Sequence, residues 1–164
     1  MINNKNNKTL INKINVYMNQ SNRKDTKKLF MDDYGALYLT DTFSTIKLFD
    51  TTYNRKNRFI LLDNFGLDNY YLRNAVINMH KDFENQNFNI KVEEKAHYID
   101  KWDNKKYCFF GDNELTFNCE KINRIKRIIS TDGNISYFLS NENKNAVCLV
   151  GKNGVAFLLG CKTY

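Results

Sequence analysis

The chain has 164 residues, a net charge of +7 and a pI near 9.2, with 42% hydrophobic and 14% aromatic residues. That length suits one domain with a core of useful size, and the apolar content excludes a disordered chain. No apolar run approaches the ~20 residues a membrane-spanning helix needs, and no signal-peptide pattern is present, so a cytoplasmic protein without a membrane partner is expected.

Residues 1–8 are almost all Asn and Lys and read as a flexible arm ahead of a single α+β domain over 9–164. Thr9 is placed to cap a helix running to about Asn19. Leu10, Ile14 and Tyr17 form its apolar stripe, with Asn12, Lys13 and Asn15 facing away. Three short strands follow at Leu29–Met31, Ala36–Thr40 and Thr45–Phe49, separated by the turn residues Asp33-Tyr34-Gly35 and Asp41-Thr42. The basic stretch from Thr51 to Arg58 reads as a loop, and Phe59–Leu62 as a further strand. A helix is predicted from Asp68, its stripe being Leu72, Ala75, Val76, Met79 and Phe83, with His80 on the flank as a structural or solvated residue.

Phe88, Ile90 and Val92 alternate with polar residues as a half-buried strand does, and Glu93-Glu94-Lys95 reads as a charged turn. Tyr98–Trp102 is a strand candidate, with Trp102 as a core anchor. Tyr107–Phe110 and Glu114–Phe117 flank the hairpin signal Gly111-Asp112-Asn113. Asn118 then caps a second basic amphipathic helix with Ile122, Ile125 and Ile129 on one stripe. Strands at Ile135–Leu139, Ala146–Val150 and Val155–Cys161 complete the chain, the last two joined by the Lys152-Asn153-Gly154 turn. A helix followed by three strands therefore occurs twice, near 9–49 and near 118–161, with the helix after Asp68 inserted between the copies.

The four cysteines are widely spaced among apolar neighbours and read as buried free thiols, so no metal site is expected. The acidic pairs Asp32-Asp33 and Glu93-Glu94 are adjacent, and adjacent residues of a strand point to opposite faces. There is no nucleophile elbow, phosphate-cradling Gly-rich loop or zinc-protease motif. No catalytic residue and no cofactor is expected, hence no enzyme.

The order of elements resembles the domain of a bacterial-type DNA sliding clamp, the β subunit of the replicative polymerase. Leu115-Thr116-Phe117-Asn118 is similar to the strand leading into a clamp helix, and Lys144 to Leu159 to its final hairpin. Leu37-Tyr38-Leu39-Thr40-Asp41 resembles the clamp strand that ends in Thr-Asp, although Thr42 stands where a Gly is usual. The resemblance implies antiparallel sheets built from twice-repeated helix-plus-three-strand units, both helices on one face. It also implies contact with phosphates rather than bases, and oligomerisation through sheet edges, because a clamp ring needs six such domains.

Lys121, Arg124, Lys126 and Arg127 on the later helix, with Lys8 and Lys13 on the earlier one, are the candidate nucleic-acid-binding residues. Arg55, Lys56 and Arg58, next to Tyr53, form a second basic candidate. Each face reads equally as a solvated one. The expected partner is nucleic acid or a nucleoprotein. The Asn, Lys, Ile and Tyr bias with no Pro points to a low-GC bacterium, its phage or a mobile element. A small phage-encoded inhibitor that binds a host defence protein or ribonucleoprotein, like an anti-CRISPR, is the alternative from another class.

Overall fold

In each central strand one residue parity meets two helices and the other meets a third, and this alternation arranges the whole molecule. A computed structural model describes residues 4–19, 28–41, 43–49, 70–95, 97–111 and 115–162. Among these are helices α1 (Asn4–Asn19), α2 (Tyr70–Glu84) and α3 (Cys119–Ile129). The strands are β1 (Lys28–Met31), β2 (Leu37–Asp41), β3 (Ser44–Leu48), β4 (Ile90–Val92), β5 (Tyr98–Ile99) and β6 (Lys106–Cys108). They continue with β7 (Leu115–Asn118), β8 (Ile135–Leu139), β9 (Ala146–Gly151), β10 (Gly154–Leu159) and β11 (Cys161–Lys162).

The fold is α+β with antiparallel pairing. A seven-stranded sheet has the order β1-β2-β3-β10-β9-β8-β4, and a four-stranded one the order β11-β7-β6-β5. The repeat read from the sequence is visible in the larger sheet: β1-β2-β3 of one unit and β8-β9-β10 of the other run outward from the β3–β10 pair. At that junction Gly154 pairs with Leu48, and a Cβ on it would lie 2.2 Å from the Lys47 carbonyl oxygen. Only glycine allows the two units to close this tightly.

Leu37, Leu39, Ile46, Leu48, Val147, Leu149, Ala156 and Leu158 point to one face of the sheet, where α1 and α3 cover them. Helix α1 contributes Leu10, Ile14 and Tyr17, and α3 contributes Ile122, Ile125, Ile128 and Ile129, all buried. Each such isoleucine contributes about 2 kcal/mol by leaving water. Asn118 caps α3 as expected, its Oδ1 accepting from the Lys121 amide at 3.0 Å. Helix α1 begins at Asn4 rather than after Thr9, so residues 4–8 belong to it. Asn15 is half-buried rather than turned away.

The opposite parity, Tyr38, Thr45 and Phe157, meets α2. Its buried side is Ile77 and His80, with Val76 and Phe83 half-buried, so the face is rotated by about one residue from the expected stripe. Met79 is 37% exposed and Ala75 is exposed, while His80 is fully buried rather than on the flank. His80 wins the inward position because the sheet offers it a polar partner, Thr45 Oγ1, 3.1 Å from Nδ1. Its ring sits edge-on between Tyr38 and Phe157, and Phe157 stacks on Phe83.

Two other readings are corrected. Trp102 is 98% exposed in a turn after β5, not a core anchor; its segment is too short to bring a second layer over it. Glu94 is not in a solvated turn, because it bridges to Phe110 in an antiparallel pairing. The expected helix start at Asp68, the Phe59–Leu62 strand and Asp112-Asn113 lie outside the described residues, and Leu72 outside the described side chains. No helix among the described residues is long and apolar enough to cross a membrane.

Burial, then the nearby Lys47 charge, lowers the His80 pKa to about 3, so the ring is neutral in the folded state. The unfolded chain takes up that proton below about pH 6.5, and stability from this group falls by up to about 1.4 kcal/mol per pH unit until the folded pKa is reached. Urea unfolding at pH 7.5 and pH 5.0 tests this. The wild type is expected to lose about 2 kcal/mol more between the two than His80→Gln does.

Candidate nucleic-acid interface

Helices α1 and α3 concentrate the charge of the molecule. Helix α1 holds Lys5, Lys8 and Lys13 and no acid, and α3 holds Lys121, Arg124, Lys126 and Arg127 against Glu120 alone. Seven bases and one acid give these helices a net +6, of the +7 carried by the whole chain. The rest of the protein is almost neutral. Both helices pack on the same face of the sheet, so these residues lie on one side of the molecule.

The α3 bases are not equivalent. Lys121 turns inward and pairs with Asp41 at 2.9 Å, the two side chains being 21% and 15% exposed. Asp41 also accepts from the Phe43 amide at 2.8 Å and the Ser44 hydroxyl at 2.9 Å, and Ser44 Oγ lies 3.1 Å from the buried Tyr17 hydroxyl. One carboxylate thus joins α1, the β2–β3 turn and α3. Burial opposes the Asp41 charge, but the Lys121 ammonium, the Phe43 amide and the Ser44 hydroxyl outweigh it and hold the carboxyl below the usual carboxylate value. Burial draws the Lys121 ammonium down, against the pull of Asp41. Tyr17 stays protonated, raised first by burial and then by the Asp41 charge.

Lys126 is held in the same way on the other flank, 3.6 Å from Glu94 Oε2 and 5.8 Å from the centre of the Tyr137 ring. Arg124 pairs with Glu120 one turn earlier in the helix. Arg127 is exposed and has no ion pair among the described residues. Lys13 is half-buried on α1. The structure therefore leaves Arg127 exposed, holds Lys13 and Arg124 half-buried, and pairs Lys121 and Lys126 with acids from other elements. Arg55, Lys56 and Arg58 lie outside the described residues, and the Lys8 side chain is not described although its backbone is helical.

A second cluster escaped the sequence reading. Glu94, Cys108 and Cys119 bring one ligand atom each to within 4.8 Å of one another. His97 joins them: its Nδ1 lies 3.2 Å from Cys119 Sγ and its Nε2 3.0 Å from Glu94 Oε1. The four positions are separated along the chain and meet only because residues 94–95 pair beside Phe109–Phe110 and β6 pairs with β7. The signal in the sequence was the presence of both residue types; the spacing alone gave no cluster.

Compared with protein-family models, curated proteins and solved structures, the chain matches none.

Removing the Asp41 carboxylate leaves the Lys121 ammonium in a mostly buried position, which costs about 3 kcal/mol. Asp41→Ala is expected to destabilise by that order in urea unfolding at pH 7, and adding Lys121→Met to recover part of the loss. Because the folded Asp41 pKa is depressed, its contribution is present at neutral pH and is lost as pH falls below about 4. Simple additivity of the two substitutions would show that the pair is not coupled.

Proposed function

We propose that this chain is a non-catalytic DNA-binding protein of a phage or mobile element. In this reading α1 and α3 lie across a duplex and contact its phosphates, as in the clamp domain the sequence resembles. The observation that supports it is the segregation of almost the entire net charge onto two adjacent helices. A solvated surface with no polyanionic partner has no need of such segregation. Side chains of Lys, Arg and Asn on these helices suit phosphate oxygens, and the resulting attraction is insensitive to sequence and sensitive to salt. One domain does not encircle DNA, so the chain either binds as an open module or assembles through its sheet edges.

Duplex binding measured over a salt series tests the proposal. Arg124→Glu/Arg127→Glu leaves the Asp41–Lys121 pair untouched, so it is expected to fold. Its binding should weaken at low salt, with a log–log salt slope smaller by about 2. No duplex binding by the wild type at low salt contradicts the proposal.

One observation favours the alternative, an inhibitor that captures a host protein or ribonucleoprotein. Strand β5 is the free edge of the smaller sheet, with Ile99 63% exposed, and Trp102 beside it is 98% exposed. Edge strands and exposed tryptophans suit protein partners. Trp102 is the single tryptophan of the chain, so its fluorescence separates the two readings. Emission should be that of a solvated indole and should stay unchanged when duplex DNA binds through α1 and α3. A shift or quench on adding DNA would place the nucleic acid at β5 instead.

A further inference from the structure

We infer that Cys108, Cys119 and Glu94 form a site for a zinc-class divalent metal, with His97 orienting Glu94 from outside, independent of the proposed DNA contact. Zinc is held by thiolate sulfur and carboxylate oxygen, and three such atoms lie within 4.8 Å of one another here, leaving a fourth position for water. Two thiolates select a borderline-soft ion over calcium or magnesium, which prefer oxygen.

Each ligand is supported by its surroundings. Cys108 is fully buried on β6, and Cys119 is 4% exposed at the first position of α3. His97 lies 3.0 Å from Glu94 Oε1 through Nε2 and 3.2 Å from Cys119 Sγ through Nδ1, so it orients two of the ligands from outside the triad. Glu94 is itself held by the Tyr137 hydroxyl at 3.2 Å and by Lys126 at 3.6 Å. Two thiolates, one carboxylate and a divalent ion sum to one negative charge, which the Lys126 ammonium balances. His97, with 38% of its side chain exposed, marks the side on which the metal enters.

The site would have a clear role in the fold. It ties the segment after β4, strand β6 and the start of α3 to one point, at the junction between the two sheets. Without metal the same groups satisfy one another as neutral hydrogen-bond partners, Cys108 Sγ facing the Phe117 carbonyl at 3.7 Å and Cys119 facing His97. That thiol arrangement is the competing account.

The test is cobalt titration of the full untagged chain, reduced and stripped with chelator. One cobalt per chain should bind with a thiolate-to-metal charge-transfer band and the intense visible bands of tetrahedral cobalt, and one equivalent of zinc should displace it. His97→Ala, which removes the group orienting Glu94, should weaken binding by tenfold or more, about the loss seen on removing an outer-shell partner of a zinc ligand. Cys161→Ser, at the exposed cysteine outside the cluster, should leave it unchanged. The wild-type spectrum requires no variant, so a folding defect cannot obscure the outcome. Absence of the charge-transfer band, a band of undiminished intensity in Cys119→Ser, or a Cys108–Cys119 disulfide forming with zinc in excess would each overturn the inference.

Discussion

The Asp41 carboxylate is the point on which the arrangement of the two repeats depends. It terminates β2, accepts from the amide and hydroxyl that turn the chain into β3, and takes the ammonium of Lys121 from the first turn of α3. Through Ser44 the same group reaches Tyr17 of α1. Apolar packing brings both helices to one face of the sheet but does not by itself set their position along it. A mostly buried, directional ion pair with hydrogen bonds on every side adds that constraint, because a slip of either helix would leave a charge unpaired.

This constraint bears on the surface opposite the sheet. Lys121 and Lys126 pair with Asp41 and Glu94, Arg124 pairs with Glu120 in its own helix, and Arg127 faces solvent. Lys126 also links the basic helix to the thiol cluster through Glu94. A metal at that cluster would fix the N-terminal turn of α3 from below while Asp41 fixes it from the side, giving a rigid presentation of Arg124 and Arg127.

Local patterns in the sequence carried the fold well. The Asn118 cap, the isoleucines of α3, the β9–β10 hairpin and the duplicated helix-plus-three-strands order all depend on neighbours within a few residues, and all are found. Misreadings occurred where a distant partner decides the outcome. His80 displaced Met79 from the buried face of α2 because Thr45, 35 residues away in sequence, supplies its hydrogen bond. Lys121 looked like a surface base because Asp41 lies 80 residues before it. Trp102 looked like core because its size and apolarity suggest burial, yet no element among the described residues packs over its turn. The thiol cluster was hidden for the same reason as the ion pairs: its members meet through strand pairing, which spacing does not reveal.

Amide chemical-shift mapping of labelled protein against a short DNA duplex at low salt tests the central claim most directly. The account predicts that the largest changes fall on the solvent side of α1 and α3, around Lys13, Asn123, Arg124 and Arg127, and fade as salt is raised. Changes confined to Ile99, Trp102 and the rest of the β5 edge, or none at all, would contradict it.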